Sequence, residues 1–172
     1  PGIRLGDFEL HPGLGVELGY DSNLYYSSDD GMSPVARRDS GILRVTPHLL
    51  FSTVGPERSA EGDGQGGDPP VVQFRGGLSG SYYEFFNDES RRNFSIDAGL
   101  RLTVLPERPF SFTVYDEFSR AIRPFTENTV SGASTARIDN SAGIDFNFMT
   151  DGGVLQLRLG YRFGLGFFEG DQ

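Results

Sequence analysis

The sequence has no cysteine, no lysine and no tryptophan, and only two of its 172 residues are histidine. Without cysteine, a disulfide framework, a thiolate zinc site and a cysteine nucleophile are all excluded. His11 and His48 are too few for a histidine-built metal centre, and most catalytic triads would need further groups. We therefore expect no metal site, no cofactor and no catalytic residues, so the protein is not expected to be an enzyme.

Basic charge and long apolar runs are also scarce. Twenty-four acidic residues against 15 basic ones, all of them arginine, give a formal net charge of −9 at pH 7. Such a balance argues against a phosphate-binding surface, so no nucleic-acid partner is expected. No apolar run approaches the roughly 18 residues of a membrane helix. A helical membrane protein is therefore excluded.

Glycine and aromatic residues are abundant, with 24 Gly, 15 Phe and 7 Tyr, and this mixture favours strands over helices. Apolar and polar residues alternate with period two in seven segments, which is the pattern of a strand with one apolar and one polar face. The segments cover residues 8–20, 43–51, 72–82, 94–104, 110–118, 138–148 and 155–167. The pattern predicts an all-β, antiparallel up-and-down β-barrel with about seven to eight strands in this chain.

The connections between these segments alternate in length along the second half of the chain. Residues 105–109 and 150–153 form tight turns, the second with the hairpin dipeptide Asp151-Gly152, whereas 119–137 is a long polar loop. Long and short connections should then lie on opposite rims. We expect a single domain over residues 1–172, in which residues 53–70, rich in glycine, proline and acid, form a flexible loop.

Two architectures fit this alternation: a soluble barrel or sandwich with its apolar face inward, and a transmembrane barrel with that face outward. Nine glycines fall on the polar face, where glycine weakens a strand unless space is short. They are Gly13, Gly15, Gly19, Gly77, Gly99, Gly143, Gly160, Gly164 and Gly166. A crowded polar lumen explains them, and the opposite face is almost free of charge over the span that a tilted strand needs to cross hydrocarbon. We therefore predict the membrane barrel.

The charged residues of the polar face would line the lumen. They could form rings that select permeants, or a salt-bridged plug that fills a small barrel. The number of strands decides between these, because eight strands enclose an interior filled by side chains and porins need about 16 to 18. The set is Asp7, Glu9, Glu17, Arg44, Arg75, Asp97, Arg101, Asp139, Asp145, Arg158 and Arg162.

Aromatic residues gather near the predicted strand ends, as they do in the interface girdles of membrane barrels. The candidates are Tyr20, Tyr25, Tyr82, Phe86, Phe110, Phe118, Phe163 and Phe167.

Two further groups of polar residues are candidates for a metal site and for a hydrolytic site. Oxygen ligands at Asp21, Asn23, Asp29 and Asp30 could bind Ca²⁺, but hydrogen bonds to the backbone of a turn are favoured. Adjacent carboxylates such as Asp116 and Glu117 would need a cleft to act in hydrolysis.

Several short motifs stand near the start of the chain: IRLGDF (3–8), PGL (12–14), GYDSN (19–23), and VTPHL (45–49) after Asp39. Together they resemble the opening of the β-barrel porin-2 family of Gram-negative outer-membrane proteins, with Ser22 where a second aspartate is frequent. A polar-x-Gly-x-x-apolar-x-apolar pattern, starting at Asp97, Ser141 and Arg158, also resembles the sequence that the barrel-assembly machinery recognises.

The resemblance implies residence in the bacterial outer membrane. The implied partners are the lipid bilayer, lipopolysaccharide, the barrel-assembly machinery and other cell-envelope proteins. The implied function is a channel or export conduit, with polysaccharide as a candidate cargo because the family is often linked to exopolysaccharide gene clusters. The alternative is a non-conducting structural or adhesion barrel that anchors or assembles an outer-membrane complex through its loops.

Seven segments are an odd number, whereas single-chain bacterial barrels have an even number of strands. Either one strand escapes the pattern or the chain is part of a larger barrel. The last residues, 167–172, lack the terminal aromatic usual for a final strand, which favours the larger barrel.

Overall fold

A computed structural model describes residues 2–25, 27, 36–53, 71–89, 92–106, 109–122, 136–150 and 152–169. Within these ranges the chain is all-β. The strands are β1 (Ile3–Leu5), β2 (Phe8–Asp21), β3 (Ser40–Thr53), β4 (Val72–Phe85), β5 (Asn93–Val104), β6 (Phe110–Ile122), β7 (Ala136–Met149) and β8 (Gln156–Phe168). The same ranges contain no helix that is long and apolar enough to cross a membrane.

The seven alternating segments of the sequence correspond to β2 through β8, so the prediction of seven long strands is confirmed. The additional strand, β1, has three residues and pairs only with the start of β2, from Phe8 to Leu10. Gly6 sits in the turn between them with φ of 61°, a left-handed conformation that glycine adopts without steric cost. A strand this short is below the length at which alternation can be recognised.

All eight strands form one antiparallel sheet whose spatial order is the chain order, so the predicted up-and-down topology is confirmed. The sheet is open in the part of the chain that is described. Because the seven long strands are odd in number, β2 and β8 run in the same direction and cannot pair with each other as antiparallel neighbours. β1 runs opposite to β8, but it covers only one end of β2. Closing the sheet with antiparallel pairs throughout would need further long strands.

The alternating strand directions place the connections on two rims. The connections after β2, β4 and β6 form one rim, here called the loop rim, and those after β3, β5 and β7 form the turn rim. The tight β7–β8 turn has Gly152 and Gly153 at φ of 84° and 70°. Of the predicted flexible loop 53–70, Thr53 is the last residue of β3, and residues 54–70 lie outside the described residues, so their flexibility stays a prediction.

The register keeps the alternation of every long strand in phase with its neighbours. One side, here called the polar face, carries the odd-numbered residues of β2, β4, β5, β6 and β7 and the even-numbered residues of β3 and β8. The other residues make the apolar face. The reversed parity of β8 matches the reversed parity of the seventh sequence segment. One sheet therefore has two chemically distinct sides.

The two faces differ in curvature and in exposure. A concave space of about 480 Å³ lies against the polar face and is lined by residues of six consecutive strands, from Leu50 of β3 to Arg162 of β8. Most of the residues that line this space occupy polar-face positions, so the sheet curls toward its polar face. The apolar face is exposed: Leu18 is 78% and Leu100 47% accessible. Among the described residues, the buried apolar side chains are Leu24 and Ala136 alone.

Close contacts explain several of the glycines on the polar face. An added Cβ would collide with the side chain of the cross-strand partner at Gly13, Gly77, Gly143 and Gly160, where the partners are His48, Leu50, Tyr115 and Asp145. Each of these glycines therefore makes room for a larger neighbour. Gly99 differs, because a Cβ there would meet no atom within 4 Å.

Gly143→Ala and Gly99→Ala test this packing as a matched pair on one face. The Gly143 substitution should push the Tyr115 ring aside and lower the free energy of unfolding by about 1 kcal/mol, since the ring end can move. Gly99→Ala should leave stability unchanged or raise it slightly. Urea unfolding and the near-ultraviolet circular dichroism of tyrosine measure both effects. Equal behaviour of the two variants would contradict the contact.

Candidate functional site

The charged residues predicted to line a lumen share one side of the sheet. Asp7 lies in the β1–β2 turn, and all the others occupy polar-face positions of the strands. The strand members are Glu9, Glu17, Arg44, Arg75, Asp97, Arg101, Asp139, Asp145, Arg158 and Arg162. The polar face is thus the candidate site, and Asp97, Asp139 and Arg162 of this set line its concave space.

Charge on the polar face is sorted by height along the strands. One row of directly opposed residues, here called the arginine row, consists of Glu9, Ser52, Arg75, Arg101, Tyr115, Gly143 and Arg162. A second row, here called the acidic row, consists of Gly13, His48, Ser79, Asp97, Ser119, Asp139 and Gly166. The rows lie about 13 Å apart along the strands, with the acidic row nearer the loop rim. The face therefore has a basic band and an acidic band.

Some of these charges are paired across strands. Arg162 contacts Glu117 at 3.1 Å between Nη2 and Oε2, and its Nε donates to Ser141 Oγ at 2.6 Å. The two charged side chains are 61% and 59% exposed, so solvent screens their attraction. Arg44 of β3 likewise pairs with Glu17 of β2, whereas Asp139 pairs at 2.7 Å with Arg137 of its own strand, β7.

Other charges of the set make no ion pair with any described residue: Asp7, Arg75, Arg101, Arg158, Asp97 and Asp145. The plug hypothesis pairs arginines with carboxylates such as Asp97, Asp139 and Asp145. Within the described ranges Asp139 pairs with Arg137, whereas Asp97 and Asp145 make no ion pair. The polar face holds both screened pairs and isolated charges.

A buried polar cluster on the loop rim was not foreseen from the sequence. Asp88 is 5% accessible, accepts a hydrogen bond from the Tyr25 hydroxyl and lies 3.6 Å from Arg38 Nη1. The fully buried Ser40 accepts a hydrogen bond from the backbone amide of Asn87. These contacts join the segment after β2 to the segment after β4. Short polar loops have no hydrophobic periodicity, so the sequence does not predict which residues their side chains contact.

The predicted interface aromatics occupy different levels. Tyr20, Tyr82, Phe86 and Phe167 lie near the loop rim and are exposed, and Phe110 lies at the turn rim. Phe118 and Phe163 are nearer the middles of β6 and β8 than their ends. Tyr25 belongs to the loop-rim cluster, where it bonds Asp88.

The segment after β2 has the hydrogen-bonded turn that the sequence favours over a calcium site. The Asp21 carboxylate accepts a hydrogen bond from the Asn23 amide at 2.9 Å, and Asn23 Oδ1 accepts one from the Ser27 amide. Asp29 and Asp30 lie outside the described residues. Among the residues that are described, no group of three or more His, Asp or Glu side chains could hold a metal ion.

The apolar face carries a few polar side chains. Near the loop rim, Arg120 makes a two-point contact with Glu169 at 2.7 and 3.0 Å, and this hydrogen bonding lowers the pKa of the Glu169 carboxyl. Asp116 is the central residue of β6, where it accepts hydrogen bonds from Asn140 at 3.0 Å. Its sequence neighbour Glu117 points to the polar face, so these two carboxylates cannot act as a hydrolytic pair.

Comparison with protein-family models, curated proteins and solved structures gave no match to this chain.

Arg162→Ala and Arg158→Ala distinguish screened pairing from a dry plug. Loss of the exposed Arg162–Glu117 pair should reduce the free energy of unfolding by about 0.2 to 1 kcal/mol, and loss of the unpaired Arg158 should have no measurable effect. Denaturant titration of both variants gives the comparison. A cost near 3 to 5 kcal/mol for Arg162→Ala would instead indicate a buried ion pair.

Proposed function

We propose that this sheet is part of an outer-membrane β-barrel that works as a channel or export conduit. The observation that carries the proposal is the orientation of the two faces: the charged face is concave and the apolar face is convex and uncovered. A conduit through lipid needs this arrangement, because permeating solutes meet polar groups while the outer surface meets hydrocarbon.

The uncovered apolar face is too large to be left in water. Burying one large aliphatic or aromatic side chain is worth about 1.5 to 3 kcal/mol. Roughly ten such side chains already outweigh the 5 to 15 kcal/mol by which a typical domain is stable. Exposed examples span the whole sheet, from Leu14 in β2 through Val114 in β6 to Leu159 in β8. A lipid bilayer would cover all of them at once.

The soluble alternative requires the opposite curvature. In a soluble barrel or sandwich, the apolar side chains fill the space between the strands and are buried. Here the concave side holds Asp97, Glu117 and Arg162, while Leu100 and Val114 on the convex side are exposed. The direction of curling therefore favours the membrane barrel.

Polar groups on the apolar face are mostly placed where a membrane interface would tolerate them. Arg120 and Glu84 lie close to the loop rim, and Glu84 bonds Tyr82 and Arg92. Asp116 is the exception, at the middle of β6. Its hydrogen bonds from Asn140 reduce the cost of this position, and carboxylates are less costly than basic groups in barrel strands.

The proposed barrel must contain strands in addition to those described. Since β2 and β8 run in the same direction, antiparallel closure needs an odd number of further long strands, and a wider barrel would keep the polar face wet. In that setting the arginine and acidic rows would act as charge rings. The outer membrane, lipopolysaccharide, the assembly machinery and a polysaccharide cargo belong to this proposal through the family resemblance.

Leu100→Arg tests which side faces lipid, with Gly99→Arg as a matched control on the neighbouring residue of the opposite face. In a bilayer, arginine at Leu100 should cost about 2 to 4 kcal/mol of folding free energy, since Leu100 lies near mid-strand. Gly99→Arg should cost much less, because it projects into open space. Urea unfolding in lipid vesicles gives both values. Soluble, monomeric behaviour without detergent would overturn the membrane assignment.

Arg158→Glu tests conduction. Wild-type protein in planar bilayers should conduct ions, and the variant should shift the reversal potential in a KCl gradient toward cation selectivity. Arg158→Lys keeps the charge and should leave the reversal potential unchanged. Folded wild-type protein that does not conduct would overturn the channel and leave the non-conducting structural barrel as the function.

A further inference from the structure

Two arginines of the arginine row stand directly opposite each other. Arg75 of β4 is the register partner of Arg101 of β5, and directly opposed residues have Cβ atoms about 4.5 to 5.5 Å apart. Both side chains are exposed on the concave side, and neither pairs with a carboxylate in the described ranges. Like charges in this arrangement destabilise a sheet. An anion between them would turn the repulsion into a favourable contact.

The surroundings orient one of the two guanidinium groups. Arg101 Cζ lies 5.2 Å from the centre of the Tyr115 ring, and this ring lies over Gly143 on the next strand. A guanidinium that stacks on an aromatic ring keeps its N–H groups available at its edge. The Arg101 guanidinium is thus held in place before any ligand binds, which lowers the entropic cost of binding.

Hydroxyl groups complete the neighbourhood. Ser52 is the other register partner of Arg75, and the next polar-face pair along β5 and β6, toward the turn rim, is Thr103 and Thr113, whose hydroxyls lie 3.1 Å apart. The nearest acid along β6 is Glu117, and it already contacts Arg162. Among the residues that the structure describes, the arginine pair therefore has donors around it and no neighbouring carboxylate that is unpaired.

We propose that Arg75, Arg101 and Tyr115 form a binding site for an oxyanion, meaning a carboxylate, phosphate or sulfate group of a ligand that enters the concave side of the sheet. Two guanidinium forks match the oxygens of such a group, and charge-assisted hydrogen bonds of this kind are strong. The ligand is either a free inorganic anion or an anionic group carried by a larger solute, such as a sugar acid. The site stands on the polar face alone and does not depend on the conduit.

Thermal unfolding of the detergent-folded protein at constant ionic strength, with sodium chloride as the balancing salt, tests this site. Inorganic phosphate, glucuronate and neutral glucose are titrated separately. Phosphate, glucuronate or both should raise the unfolding temperature with an apparent Kd on the order of 1 mM, and glucose should not. Phosphate without glucuronate identifies a free anion as the ligand, and tighter binding of glucuronate identifies a sugar acid.

Arg75→Gln and Arg101→Gln should each weaken binding about tenfold or more, whereas Arg158→Gln, on the same face without an arginine opposite, should change it less than about twofold. Without anion, the two pair variants should unfold at the same temperature as the wild type or higher, since repulsion is removed. A purely structural role would lower that temperature.

The site is refuted if neither anion shifts wild-type unfolding beyond the chloride control, or if Arg75→Gln and Arg101→Gln retain the shift. Because no bilayer is used, such a result leaves the conductance of the protein untouched. Conversely, anion binding by a protein that does not conduct ions would support the anion site and contradict the proposed conduit.

Discussion

The register between neighbouring strands is the constraint on which the rest of this structure depends. From Phe8 opposite Thr53 to Met149 opposite Gln156, each pair joins residues of the same face. A slip of one residue in any pair would move a whole strand's charges to the apolar side. Such a slip would place Arg44 or Arg101 on the apolar face and the leucines of the same strand on the polar face. The patterns of all seven long strands must therefore agree, and this agreement makes a single register favourable.

The polar face can hold large side chains because large and small residues alternate across the strands. Tyr115 needs Gly143 beside it, and His48 needs Gly13. Aromatic side chains lying over cross-strand glycines recover packing that the glycines themselves lack. In this way the concave side can hold bulky and charged groups without crowding, and a space remains between them.

The separation of charge along the strands gives this surface its chemical character. The acidic row lies toward the loop rim and the arginine row toward the turn rim, so a solute passing along the concave side would meet first one sign and then the other. In the proposed conduit, a cation or an anion would be favoured at different depths. Arg75 and Arg101, with no carboxylate between them, concentrate positive potential at one level.

The sequence by itself determined the seven long strands, their two faces and the parity change before β8, because a period of two records directly which side of the sheet each residue takes. It also identified Arg101 and Asp97 as members of one face. Which of these charges meet could not be predicted: Arg162 bonds Glu117 and Ser141, while Arg75 faces Arg101, and these outcomes depend on how each strand is shifted against the next. The loop-rim cluster around Asp88 was likewise decided only by the tertiary structure, whereas the glycines of the polar face already predicted the direction of curling. Alternation states which residues share a side, but curvature and cross-strand contacts arise from all the strands together.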